Sequence, residues 1–385
     1  MRSIDRRYIL ILLVIWLAVH CFLFQHYGIR TFYDSTEYVK EADQFVTGQW
    51  PDANRIFYSV FIGTLSLFRW VFPNQIICYI IFQLLLSCLG VLSLYMAGAR
   101  IFNNPYAGFF SALIFLLWLD NIHWNIAVMS ESMMCSFICF LILVLSYFRN
   151  TTSGYFKLFV LTTLILFTRP TGIIVFVGVI SFLLTYHRNF IRLHVKLTMV
   201  VISILVLLGY VAINSMSTHW DFTDQYKKGN IVTYADIVQD STFHREKLMI
   251  IETDIEFAHS DRNPVYKMLY FVFHNPLYFL KTAGLKILYL LSFTRPYYSS
   301  LHNIVSLCWV ACVYVLFFVG FKISRRAPLH AFVLTVIVLN CILIGIFTVD
   351  WDNRFYIPME PGIVLLAGGG ASAVWRRFKT VFNPK

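Results

Sequence analysis

Charge is scarce in this chain. Asp, Glu, Lys and Arg make up 13% of its 385 residues, about half the ~25% of a soluble domain. Hydrophobic residues make up 58%, a surplus that a soluble core of this size has no room for. None of the eight cysteines forms a Cys-x-x-Cys pair, which excludes a zinc ribbon or a dithiol redox motif. All eight (21, 78, 88, 135, 139, 308, 312 and 341) lie in or beside apolar segments and read as inert membrane thiols. No His/Asp cluster has ligand spacing, so no metal or other cofactor is expected; a two-carboxylate Ca²⁺ or Mg²⁺ site using Asp34 is the one divalent-cation alternative. No small-residue cleavage site follows the first apolar run, which therefore reads as a retained span rather than a signal peptide. Internal repeats and low-complexity tracts are also missing. The net charge is +11, yet Lys and Arg are spread over many short loops instead of one face, which argues against a nucleic-acid partner.

What the chain does contain is long apolar runs. The windows Gln75 to Ala99, Ser132 to Phe148, Thr171 to Tyr186, Leu197 to Trp220 and Leu301 to Phe321 carry no charged residue. Runs of this length read as bilayer spans. The expected fold is all-α: one polytopic integral membrane domain over 1–385, with juxtamembrane helices on the outer face. About ten spans are expected, at 8–27, 75–99, 105–119, 128–147, 156–168, 171–186, 197–215, 302–321, 329–348 and 357–374. With the N-terminus in the cytoplasm, the inner segments carry Arg2, Arg6 and Arg7; Arg100; Arg149 and Lys157; Arg188, Arg192 and Lys196; Lys322, Arg325 and Arg326; and Arg376, Arg377, Lys379 and Lys385. Of the 20 acidic residues only Asp5 lies on that side. The basic bias of short loops therefore predicts both termini on the cytoplasmic side of the cell (inner) membrane. The stretch Ile56 to Phe68 is apolar but too short to cross, since thirteen helical residues cover about 20 Å. It reads as an interfacial or re-entrant helix on the outer face.

Two outer loops are long, 28–74 and 216–300. In the second, NPLYFLKTAGLKILYLL is expected along the membrane surface, with Lys281 and Lys286 snorkelling. In the first, Tyr38, Val39, Ala42, Phe45 and Val46 recur at helical spacing. Asp34 and Glu37 open that helix, either as a capping-box-like pair or as chemistry-bearing carboxylates; the two roles can coexist. Other ionisable groups sit at the outer ends of spans: Glu131, Arg169 before Pro170, and Asp350, Asp352 and Arg354. Each alone could be an anchor. Together, on one side of the membrane, acids and arginines from separate spans suggest a cavity at the outer surface. Sugar transfer from a lipid phosphate needs such a set. A carboxylate deprotonates the acceptor hydroxyl, the leaving phosphate is already a stable anion, and guanidinium groups match its oxygens.

Five stretches, in this order, carry a resemblance: YDSTEYVKEADQFVTGQW, RIFYSVFIGTLSLF, MSESMMCSFICFLIL, LILFTRPTGII and DNRFYIPMEPGIVLLAGGG. The chain resembles the GT-C superfamily of integral-membrane glycosyltransferases, in particular the branch of bacterial protein O-mannosyltransferases and lipid A aminoarabinose transferases. It departs from that pattern at Ile56-Phe57, where the family carries prolines, and at Phe355, where it carries Tyr. The resemblance implies an inverting transferase of the cell envelope, working on the periplasmic face. Its donor would be a sugar on polyprenyl (undecaprenyl) phosphate, and its acceptor a glycan, lipid or protein. It implies Asp34 as base with Glu37 in support, Arg55, Arg169 and Arg354 toward the donor phosphate, Glu131 lining the cavity and Tyr356 adding a hydrogen bond. Other classes compatible with the same residues are a transporter or flippase of a lipid-linked sugar and a lipid-linked oligosaccharide polymerase or ligase. In a background stripped of native cysteines, Asp34→Cys and Arg354→Cys should both react with a membrane-impermeant thiol reagent added from the non-cytoplasmic side; protection of either until the membrane is opened would overturn the topology.

Overall fold

The computed structural model describes residues 5–49, 53–72, 74–188, 223–238, 240–252, 254–259, 262–324 and 326–382. The span expected at 197–215 lies outside them, as do Arg192 and Lys196 of the basic loop before it. The described residues are helical. They contain no strand, only the isolated bridges Arg30–Ala127, Asn230–Met249 and Val232–Val349. The longer helices are α1 Arg6–Tyr27, α2 Tyr33–Val46, α3 Ser59–Val71, α4 Gln75–Ile101, α5 Pro105–Leu117, α6 Ser130–Ser146, α7 Thr152–Thr168, α8 Gly172–Tyr186, α9 Pro264–His274, α10 Pro276–Ser292, α11 Ser300–Ile323, α12 Ala327–Ile346 and α13 Glu360–Phe382.

Four of these are long and apolar enough to cross a membrane: α1, α4, α11 and α12. A fifth would be α5 together with the segment Leu119–Ile126, although the pair is bent by 67° at Trp118. Helices α6, α7 and α8 are apolar but only 17, 17 and 15 residues long, short of the ~20 residues that a ~30 Å hydrocarbon core requires. Charged residues at both ends of α13, Glu360 and Arg376, Arg377 and Lys379, lower its apolarity. The chain therefore has helices long and apolar enough to cross a membrane; among the described residues four or five meet that length and composition, and the expected ten are not all matched. Apolar runs in the sequence include cap and turn residues that contribute no helical rise.

The chain forms two compact units. One comprises Met1–Phe182, Ala311–Ile337 and Ile357–Lys385; the other comprises Leu183–Val310 and Val338–Tyr356. In the first unit α4 packs against α5 and α6, and α5 packs against α13. Small residues permit this: a Cβ on Gly98 would stand 2.8 Å from the Gly108 Cα, and one on Gly108 would collide with the Tyr95 carbonyl. Such close backbone approach is how helices without a hydrophobic drive between them gain contact. The bent segment after α5 leaves carbonyls without helical partners, a defect tolerated in an apolar bundle only when other groups satisfy them. Gln83 on α4 does this. Its Nε2 lies 3.1, 3.0 and 2.9 Å from the carbonyls of Trp124, Asn125 and Ala127, and its Oε1 accepts from Tyr79 at 2.6 Å. The loop after α1 adds two backbone bonds, Arg30 N to Ile126 O (2.9 Å) and Val128 N to Arg30 O (3.2 Å).

In the second unit a buried arginine holds two segments together. Arg295 donates to the carbonyls of Tyr289 (2.7 Å), Thr294 (2.8 Å) and Asp350 (2.9 Å) and to Asn353 Oδ1. Asn303 clamps the Arg295 backbone from both sides, at 2.9 Å each. Helices α9 and α10 form where the sequence places them, but one surface expectation is corrected. Lys281 is exposed and reaches Glu252 at 3.3 Å, whereas Lys286 does not snorkel: it is fully buried. Its Nζ lies 3.6 Å from the centre of the Tyr226 ring and makes no hydrogen bond. Tyr226 is held there by bonding to the Gly345 carbonyl, and Tyr278 brackets it by donating to the Ile250 (2.9 Å) and Tyr226 (3.2 Å) carbonyls. An amphipathic pattern cannot distinguish a helix floating on lipid from one covered by its own loop.

Burial lowers the Lys286 ammonium from its ordinary 10.5 to about 7. Between those values the unfolded chain holds a proton that the folded chain has lost, so stability rises with pH across that window. Lys286→Met removes the buried charge and keeps the volume. It should raise the melting temperature of the purified protein at pH 7, and the gain should shrink as the pH rises toward 10. A lower melting temperature at pH 7 would show that the contact with Tyr226 outweighs the burial of the amine.

Candidate functional site

Pro170 sets the geometry of the site in the first unit. A residue before proline is driven to extended backbone, and Arg169, just past the end of α7, is extended at φ −161°, ψ 146°. Gly172 closes the turn through a 2.8 Å bond from its N–H to the Arg169 carbonyl. A Cβ at Gly172 would strike the Ile165 carbonyl, so the chain can double back this tightly only with glycine. The turn directs the Arg169 guanidinium to Glu131, in the first turn of α6, where the helix dipole also favours an acid. Nη1 of Arg169 and Oε1 of Glu131 form an ion pair in which both residues are buried.

A polar network fixes the head of α6. Ser132 donates to Asn125 Oδ1 at 2.5 Å, and Asn125 Nδ2 donates to Ser87 at 2.7 Å and faces His20 Nε2 at 3.0 Å. Networks whose members are all paired are stiff. This one ties the first turn of α6, next to Glu131, to Ser87 of α4 and Asn125 of the bent segment.

Helix α2 carries the first-loop acids Asp34 and Glu37. Its buried face is Ser35, Tyr38 and Ala42. Tyr38 packs against Phe61 of α3 at 5.0 Å and against Tyr58 at 5.3 Å. Burial holds the Tyr38 phenol well above its ordinary range. Tyr58 and the carboxylates of Glu131 and Asp34 act in the same direction, and Arg169 acts against them. Tyr38 is thus where the field of Asp34, one helical turn earlier, meets that of the Glu131–Arg169 pair. Asp34 does not cap α2, as the capping-box alternative would have it. Phe32 precedes the helix, and its N–H donates to Ser35 Oγ at 2.9 Å. Asp34 lies in the first turn, half-buried, and Glu37 is half-buried one turn on. Arg55 pairs with Glu41 at 2.9 Å and lies over the Tyr38 and Tyr58 rings at 5.5 and 5.7 Å.

Asp34, Glu37, Arg55, Glu131 and Arg169 all belong to this unit. The remaining two expected residues belong to the other. There Arg354 is paired with Asp350, and Tyr356 is fully buried with its ring edge-on to Phe293 at 4.7 Å. Among the described residues, no group of three or more His, Cys, Asp or Glu side chains is placed to hold a metal ion.

Comparison with protein-family models, with curated proteins and with solved structures gives no match. The chemistry must therefore be read from the side chains themselves.

One such side chain escaped the sequence. Glu360 heads α13 and is 1% exposed. Its Oε2 lies 3.9 Å from Cys135 Sγ, and the Asn121 side chain stands beside its carboxylate. Cys135 is one turn beyond Glu131 on α6, so both acids address one face of that helix. The signal was present in the sequence: Glu360 interrupts the apolar run 357–374, as Glu131 heads another. Arg295 and Lys286 were missed for a different reason, because nothing local distinguishes a buried cation from a surface one. For the Glu131–Arg169 pair, Arg169→Met alone should destabilise the protein by about 3–5 kcal/mol, because it strands a buried carboxylate. The double variant Glu131→Met/Arg169→Met should lose distinctly less. Equal losses in thermal or denaturant unfolding would remove the pair as a coupled unit.

Proposed function

We propose that this protein is a membrane glycosyltransferase that moves a sugar from a polyprenyl-phosphate donor to an acceptor hydroxyl on the non-cytoplasmic face. The observation that carries this reading is the buried Glu131–Arg169 pair, whose charges act on Tyr38 of α2 together with that of Asp34. A guanidinium held in a water-poor site by a carboxylate is pre-oriented for an anion, and its planar donors match phosphate oxygens. Asp34, half-buried in the first turn of α2, serves as base, with Glu37 one turn on. In the reaction the acceptor oxygen bonds to the anomeric carbon as its proton passes to Asp34. The bond from that carbon to the phosphate oxygen breaks, and its electron pair leaves with the polyprenyl phosphate. One displacement inverts the anomeric centre. Arg169, with Arg55 nearer the surface, stabilises the charge that develops on the leaving phosphate. The ordered stretches that resemble GT-C transferases support the same class.

A broken apolar helix with buried polar groups also suits a transporter of a lipid-linked sugar, and the bent pair α5 and Leu119–Ile126 is the feature that favours it. Purified protein given a panel of polyprenyl-phosphate sugars and candidate acceptors separates the two. Asp34→Asn should fold and enter the membrane normally while turnover falls by about 10²–10⁴-fold, the usual worth of general base catalysis. Turnover close to that of the unmodified protein would remove Asp34 as the base. Movement of donor across vesicles without glycosylated product would favour the transporter.

A further inference from the structure

Three buried polar atoms at the head of α13 lack a hydrogen bond of ordinary geometry: Oε1 of Glu360 and both terminal atoms of the Asn121 amide. Both residues are almost wholly enclosed, at 1% and 4% exposure. The other oxygen of Glu360 faces only the Cys135 thiol, a weak donor. Glu360 has no ion-pair partner among the described residues, whereas Glu131, on the same face of α6, has Arg169. Glu360 and Asn121 stand beside each other, but none of the three atoms has a bond of ordinary geometry, and buried polar groups so weakly met are costly and rare. Here they come from separate elements, the turn Leu119–Ile122 at the bend after α5 and the first residue of α13. Irregular backbone inside an apolar bundle is tolerated where it is buried in protein or lines a cavity.

A carboxyl and a carboxamide side by side offer acceptors and donors at neighbouring points. Adjacent hydroxyl groups on a sugar ring present the complementary set. Phosphate does not, because it would meet the Glu360 carboxyl without a cation between them. We propose that Glu360 and Asn121 form a subsite that reads the ring hydroxyls of the transferred sugar, next to the Glu131–Arg169 pair. The proposal rests on the transferase reading and adds the residues that select its substrate. It assigns the lipid phosphate to the arginine side and the sugar ring to the Glu360 side.

The test is binding to the purified full chain in nanodiscs of three lipids: polyprenyl-phosphate-mannose, polyprenyl-phosphate-glucose and sugar-free polyprenyl phosphate. Glu360→Gln and Asn121→Ala should each weaken at least one sugar-bearing lipid by about tenfold or more, the scale of one or two buried hydrogen bonds. Both should leave sugar-free polyprenyl phosphate within about twofold, because its phosphate lies elsewhere. A purely structural role would weaken all three lipids together, and that result overturns the subsite, as does no change in any. Should Glu360→Gln fail to fold, Asn121→Ala carries the same comparison. If the unmodified protein binds none of the three lipids, the transferase reading falls and the subsite with it. If it binds sugar-free polyprenyl phosphate but neither sugar-bearing lipid, the subsite alone falls.

Discussion

A side chain that carries charge among apolar helices must find a partner or lose the charge, and that requirement organises the first unit. Glu131 and Arg169 are both buried and satisfy each other. Their meeting depends on backbone arranged around them: Pro170 holds Arg169 extended past the end of α7, Gly172 permits the tight return, and the first turn of α6 presents the acid. Coulomb attraction in such surroundings is strong, but desolvation consumes much of it. The pair is therefore better understood as fixing geometry than as adding stability. What it fixes is the direction of a guanidinium whose charge reaches Tyr38 on the helix that carries Asp34.

The same constraint, met differently, shapes the second unit. Among the described residues Arg295 pairs with no carboxylate; its two terminal nitrogens donate to three carbonyls and the Asn353 side chain, tying 289–295 to the loop at 350–353. Lys286 is met only by an aromatic face, and burial holds its amine near neutrality at about 7. Three buried cations are thus handled in three ways: pairing, carbonyl coordination and loss of the proton. Glu360 and Asn121 together hold three buried polar atoms without an ordinary hydrogen bond, and Glu360 adjoins the face of α6 that carries the proposed chemistry.

Much of the helical architecture was legible. The helices at 6–27, 75–101, 300–323 and 327–346 begin and end near the expected bounds, because a long unbroken apolar run has few other ways to satisfy its backbone in lipid. The helix at 59–71 in the first loop was legible from its length and flanking arginines. The count of crossings is less legible, since helices of 15 to 17 residues look in sequence like spans with ragged ends. The cap of α2 was misjudged by two positions, because Asp34 and Ser35 are both plausible helix openers and only the backbone shows which one bonds.

The sequence by itself determined the class of the molecule: apolar helices of membrane length, few charges, and acids and arginines placed at helix ends. Those properties are local, set by composition and by the rise of a helix per residue. Only the tertiary structure decided that Glu131 meets Arg169, that Tyr38 is buried against α3, that Lys286 lies under its own loop, and that Glu360 and Asn121 face each other. Each of these joins residues from different helices, and whether a charge at a helix end turns to water or to a partner depends on what packs over it. That information resides in the fold because burial is a property of neighbours, and a single chain position carries no record of its neighbours across the bundle.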